Sequence, residues 1–295
     1  MTAKVRIPGS CGELVQGTIN GIDFHITCPI DRFSEASATA GRAGEVMVPH
    51  GLDKTAKAVK TAIERLGGAA GINIDIKSEL PHGKGMASST ADIAAAVFAT
   101  RSALHRDIST EELAEIALSI EPTDGIFFDG IVIYDHRGGK RFERVGDAPP
   151  LEILVLEPPE SVDTVTFNKG KSALGMVEES LVGEALEMAV AAIRSCDIKL
   201  LGEAATMSAL LNQKILPKAV LGDVIDVCRR KGGVGVNIAH SGSVMGMMTE
   251  VGSGERLFER VAHMIPRAWD AYLVKLIDGG PQYAGAPAKV CVRMR

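Results

Sequence analysis

The hydrophobic pattern changes period several times along the chain, and each change marks a new element. The opening segments VRIPGSCGELVQG and IDFHITCPID mix β-branched residues with polar ones and are broken by Gly and Pro; they predict two short strands around a tight turn. From Asp53 to Leu66 the apolar positions Ala56, Val59, Ala62, Ile63 and Leu66 share one helical face, with Asp53 as the expected cap and Gly67 and Gly68 as the stop. Ile72, Ile74 and Ile76 then alternate with polar residues, as a strand running toward Pro81. Residues 89–104 read as a helix whose small side chains allow close approach to a neighbour, and 110–121 as another with acids early. The IVIY run, 131–134, reads as a strand ending in a turn at Arg137 to Gly139.

A second unit opens after DAPPL, residues 147–151, where LEILVLEPP has the unbroken apolar run of a buried strand. Helical stretches follow at about 178–195, 198–211 and 217–230. Next come the strand-like VGVNIAH and VMGMMTEV, a helix at about 254–265 and a last strand, DAYLVKLID. This order fits an α+β sandwich on an antiparallel sheet. The expected division is 1–148 and 149–295, and the length of 295 residues agrees with two domains.

Composition narrows the function classes. With 46% hydrophobic and 23% charged residues the chain is an ordinary globular one, and its net charge of −5 gives no basic field for nucleic acid or an anionic membrane. No apolar run reaches the roughly 18–20 residues of a spanning helix, and the expected location is cytoplasmic. The five cysteines include no CxxC pair, so neither a disulfide framework nor a structural zinc site is expected. Cys11 reads better as a packed small residue than as a reactive thiol. No two histidines stand at HxxxH spacing, so a zinc enzyme is not expected either.

The segment Pro81 to Ala96, PHGKGMASSTADIAAA, carries the chemistry. Gly83 and Gly85 permit backbone conformations closed to other residues, and Ser88, Ser89 and Thr90 put hydroxyls where the first helical N–H groups have no partner. An anion satisfies those donors, and the helix dipole favours it. The P-loop pattern is absent because Lys84 is followed by Gly85 rather than Ser or Thr, and GxGxxG fails because Ser88 stands at the third glycine. On these grounds alone the segment is either a phosphate cradle or a structural glycine turn capped by serine.

The pattern of Pro81, Gly85, Met86, Ser88, Ser89, Thr90 and Ala91 resembles the second motif of the GHMP kinases, the family of galactokinase, homoserine kinase and mevalonate kinase. IPGSCGELVQG resembles the family's first motif and KGGVGVNIAHSGSVMGMM its third, in the family's order. The resemblance implies a small-molecule kinase. Its fold would be α+β in two domains, the first related to a ribosomal-protein fold and the second ferredoxin-like. ATP phosphates would lie on Pro81, His82, Gly83, Lys84, Gly85, Met86, Ala87, Ser88, Ser89, Thr90 and Ala91. Mg²⁺ would be held by Ser89 and Glu121, and Asp124 would accept or orient the acceptor proton. Within the family, PGSCGELVQG, EPTDG and AHSGSVMG most resemble the branch that phosphorylates the side-chain hydroxyl of free L-threonine in cobalamin synthesis; homoserine is the rival acceptor.

Ser10, Glu13, His240, Ser241 and Ser243 are the expected acceptor contacts, with Glu13 on an ammonium and Ser10 or Ser241 on a carboxylate. His82 and His240 are the two histidines placed to touch ligand. Bland readings stand beside several of these: Glu121 as an exposed helix-end acid, Asp124 as a turn cap, Lys84 as solvated, Glu13 as a strand-edge acid. A nucleotide-binding sensor without catalysis is the rival from another class, and a homodimer is left open.

Overall fold

Two long strands carry the architecture. The computed structural model describes residues 2–68, 70–140, 142–160 and 176–283. Strand β1 (Ala3–Ile19) and β2 (Ile22–Gly41) pair antiparallel across Asn20 and Gly21, both at positive φ, the conformation an Asn-Gly hairpin turn requires. Short strands were predicted here; the pair instead runs 17 and 20 residues. The breakers are absorbed as register shifts at Pro8–Gly9, between Ser10 and Glu13, and between Glu13 and Val15. Such bulges bend a strand without ending it, and they collect beside functional sites.

The remaining strands are β3 (Val46–Met47), β4 (Gly71–Ser78), β5 (Ile131–Tyr134), β6 (Phe142–Gly146), β7 (Leu151–Glu157), β8 (Gly235–Ile238), β9 (Met245–Glu250), β10 (Asp270–Lys275) and β11 (Gln282–Tyr283). They form one sheet in the order β10-β7-β9-β8-β1-β2-β4-β3, with β11 beside β1 and the β5–β6 pair beside β2. The second-half strands β10, β7, β9 and β8 pair antiparallel, as the pattern predicted. A single residue pair, Glu13 with Ile238, joins them to β1.

Helices α1 (Asp53–Arg65), α2 (Ser88–Ala103) and α3 (Thr110–Leu118) pack with one core on β1, β2 and β4. Helices α4 (Met176–Ser195) and α5 (Ile198–Asn212) enclose a second core, and α6 (Leu221–Lys231) and α7 (Gly254–Val261) a third. Leu52 rather than Asp53 is the N-cap of α1, with no side-chain cap, and α3 stops at Leu118, so Glu121 lies beyond it. Ser109 and Glu112 form a capping box that sets the start of α3. Helix α2 buries every residue from Thr90 to Thr100; a helix apolar on all sides belongs inside the protein, and its alanines let neighbouring backbones come close. The four described cysteines, Cys11, Cys28, Cys196 and Cys228, are free thiols, and Cys291 lies outside the described residues. No described helix is long and apolar enough to cross a membrane.

Three glycine-bearing segments, remote in sequence, meet at the centre. Ser10 N donates to Met86 O at 3.0 Å, Val244 N to Lys84 O at 3.1 Å, and Asn237 Nδ2 to Cys11 O. A Cβ at Gly242 would collide with the backbone of Lys84 and Gly85, and one at Gly12 with that of Ile238 and Ala239. Gly242→Ala is therefore expected to destabilise the protein by roughly 1–3 kcal/mol. Gly222→Ala, on open helix surface, is expected to be neutral or stabilising. Urea denaturation midpoints compare the two directly; equal midpoints would mean that the junction yields at no cost.

Candidate active site

The turn before α2 shapes one wall of a cleft of about 800 Å³. Gly83 and Gly85 adopt φ of 72° and 83°, and Ala87, the N-cap of α2, is also left-handed with φ 55°. No side chain caps this helix, and its first residues Ser88, Ser89 and Thr90 line the cleft. Uncapped backbone donors, hydroxyls and the positive end of a 16-residue helix thus coincide, the combination that suits an anion.

The two residues expected to hold a metal lie in contact. Ser89 Oγ donates to Glu121 Oε1, and the other carboxylate oxygen takes Lys54 Nζ at 2.5 Å. The Glu121 side chain is 13% exposed, so it is no free helix-end acid. A hydroxyl and a carboxylate side by side are hard oxygen donors of the kind Mg²⁺ takes together with phosphate and water.

Asp124 lies three residues further on, its side chain 24% exposed. Thr90 Oγ1 donates to its Oδ2 at 3.5 Å and accepts from its backbone N–H at 3.3 Å and from Thr123 Oγ1 at 3.1 Å. Its Oδ1 lies 3.6 Å from His25 Nδ1, which is itself 3.7 Å from Glu13 Oε1. Burial raises the Asp124 carboxyl to about 6. Burial first, and then the charge of Asp124, hold Glu13 well above the usual carboxylate range. Glu13 is 5% exposed on a strand paired on both sides, which rules out a strand-edge surface acid.

Behind the carboxylates His25 and His136 stack with ring centroids 3.7 Å apart, and His240 lies 4.4 Å from His25. His240 Nδ1 meets Gln16 Oε1 at 2.7 Å. Lys218 donates to Ala239 O at 3.2 Å and steadies the segment that carries His240; burial lowers its ammonium to about 8.

Of the sequence-predicted residues, His82, Gly83, Gly85, Met86, Ala87, Ser88, Ser89, Thr90, Glu121, Asp124, His240 and Ser241 all line the cleft. Pro81, Lys84, Ala91, Ser10, Glu13 and Ser243 do not. Glu13 reaches it only through His25, Ser10 bonds Met86 through its backbone, and Ser243 Oγ is buried. The Lys84 ammonium is neither solvated nor on the turn; it is held by the carbonyls of Pro158, Pro159 and Glu160 at 2.5, 2.9 and 3.1 Å. Sequence reasoning passed over Lys54, His25, His136 and Arg137, all cleft-lining. A histidine within an otherwise apolar strand, as in IDFHITC, was the one available signal.

This geometry has relatives. Residues 53–131 match the family pattern described as the GHMP kinases N terminal domain. The chain is 32% identical over 290 residues to the L-threonine kinase of Salmonella typhimurium strain LT2, covering 94% of each chain. It is 33% identical over 257 residues to the L-threonine kinase of Citrobacter freundii, covering 84% of this chain and 86% of that one. A crystal structure of homoserine kinase from Cytophaga hutchinsonii superposes with a TM-score of 0.73 at 16% identity, covering 96% of this chain and 97% of that one. A mevalonate kinase structure gives a TM-score of 0.73 at 14% identity, covering 93% and 99%. The chain belongs to the GHMP kinases and is a small-molecule kinase.

If Asp124 takes the acceptor proton, its carboxylate form is the active one, present above about pH 6 and lost as pH falls through that value. The turnover–pH profile is expected to show an acidic limb near 6, and Asp124→Asn to remove the limb while lowering kcat roughly 10²- to 10⁴-fold with ATP affinity little changed. Unchanged turnover in that variant would take Asp124 out of the chemistry.

Proposed function

We propose that the protein transfers the γ-phosphoryl group of ATP to the side-chain hydroxyl of free L-threonine, giving O-phospho-L-threonine for cobalamin synthesis. Residues 1–148 would form the nucleotide-binding domain and 149–295 the second domain. The observation that carries the transfer is the contact of Ser89 with Glu121 at the start of α2, with Asp124 held by the next residue, Thr90. The acceptor assignment is supported by the two L-threonine kinases that match this chain over most of its length.

Phosphoryl transfer needs positioning and charge neutralisation more than covalent help. The turn from Gly83 to Ala87 and the hydroxyls of Ser88 and Ser89 bind the phosphates. Ser89 and Glu121 would hold Mg²⁺, which when bound neutralises phosphate charge. Lys54 fixes the Glu121 carboxylate through its second oxygen. Asp124, oriented by Thr90, accepts or directs the proton of the attacking hydroxyl. His240 and Ser241 lie on the same cleft wall, on the segment that meets the turn, and bound the acceptor.

An ADP-release assay across L-threonine, L-homoserine, L-serine, mevalonate and galactose tests the assignment. L-Threonine is expected to lead, with homoserine roughly 10²-fold slower because its hydroxyl is displaced by about 1 Å or more. Ser89→Ala is expected to raise the magnesium concentration needed for half-maximal turnover. Homoserine outperforming L-threonine would overturn the acceptor, and tight ATP binding with no turnover on any alcohol would favour a nucleotide-binding sensor.

A further inference from the structure

His25, His136 and His240 come from three distant parts of the chain, and no short spacing announces them. His25 lies on β2, His136 two residues past β5 and His240 two residues past β8. All three are buried, at 3, 3 and 5% exposure, and all line the cleft. Each offers one ring nitrogen, and the three nitrogens lie within 4.8 Å of one another. The geometry points to a second cation site in the cleft, made of these three imidazoles, that takes a borderline divalent ion of the Zn²⁺ type and inhibits the kinase when filled.

The chemistry of the donors separates this site from the one at Ser89 and Glu121. Imidazole suits zinc and its neighbours, whereas Mg²⁺ prefers oxygen. Zinc–nitrogen bonds of about 2.0–2.1 Å in a tetrahedron need nitrogens about 3.3 Å apart, so the rings must close by an ångström or so. The tautomer of His240 is fixed from outside. Gln16 Nε2 donates to Ile238 O at 3.5 Å, which turns Gln16 Oε1 toward His240 Nδ1 at 2.7 Å. That bond places the proton on Nδ1 and leaves Nε2 as the lone-pair nitrogen, the arrangement by which a second residue usually prepares a metal-binding histidine. His25 and His136 are stacked 10° from parallel, so their in-plane lone pairs converge on one ion only as the stack opens. Asp124 supplies negative charge at His25 Nδ1, and Glu13, His25 and Asp124 form a second convergent ligand group.

The inhibitory role rests on the proposed function of Asp124: an ion on His25 sits beside that carboxylate and competes with the acceptor for it. The ion site itself does not rest on that reading. The full-length protein, freed of metal by chelation, is titrated with Zn²⁺ alone by calorimetry and with Co²⁺ by visible absorption. One equivalent is expected, with no thiolate charge-transfer band. Uptake should be lost in His136→Asn and in His240→Asn, be about 10- to 100-fold weaker in Gln16→Ala, and persist in Ser89→Ala. Turnover is expected to fall in step with Zn²⁺ occupancy and not to recover with excess Mg²⁺. Absence of stoichiometric binding by the wild type, a thiolate band, or undiminished uptake by both folded histidine variants would overturn the site. Full occupancy with unchanged turnover would overturn the inhibition alone.

Discussion

The close meeting of backbone on backbone at Gly12, Gly85 and Gly242 is the constraint on which the cleft depends. At each point a side chain would occupy the space where another segment's main chain runs. Because nothing intervenes, the three segments bond directly: Ser10 N of the first donates to Met86 O of the second, Val244 N of the third to Lys84 O of the second, and the Asn237 side-chain amide of the third to Cys11 O of the first. The turn before α2 is thus held from both sides by peptide groups. Gly83 and Gly85 adopt the left-handed conformation freely, whereas Ala87 is kept in it at a cost, and the start of α2 is left without a side-chain cap.

Burial dominates the electrostatics behind that turn. Glu13 and Asp124 flank the same nitrogen of His25, and in both desolvation is the leading cause of a raised carboxyl. A hydroxyl partly offsets this in each, Thr90 for Asp124 and Thr27 for Glu13, and Glu13 also feels the charge of Asp124. Both carboxyls are therefore raised, Asp124 to about 6 and Glu13 well above its usual range. The chain's overall charge of −5 says nothing of this, since the field that matters is set within a few ångströms.

Local chemistry was legible in the sequence, and distant pairing was not. The glycine turn, the hydroxyls after it and the acids at 121 and 124 are contiguous signals, and the structure brings Ser89 onto Glu121 and Thr90 onto Asp124. Helices α1 and α5 were evident from periodicity because their burial follows the helical repeat, and α2 from its run of small residues. The length of β1 and β2 was hidden, since Gly and Pro mark a strand end or a bulge equally well, and only the partner's register decides. The three histidines were hidden for a similar reason: residues 25, 136 and 240 lie more than a hundred positions apart, and only the sheet order sets them side by side.

The lysines show how contiguity can mislead. Lys84 sits inside the turn and invites assignment to a phosphate, yet its three donors are engaged by three carbonyl oxygens, with Glu157 at 4.0 Å. A charged hydrogen bond contributes about 1.5–3 kcal/mol, so moving that ammonium to a ligand would forfeit several such terms and loosen the turn. Lys84 therefore acts on the anion site through the backbone, as the tether of the turn to residues 158–160. Lys54, like Arg137, is a cation on the cleft wall itself. It lies 2.5 Å from Glu121 and comes from the first turn of a helix that no motif singles out. One carboxylate partner is a weaker hold than three carbonyls, and a phosphate arriving beside Glu121 offers Lys54 a second anion without requiring the turn to move.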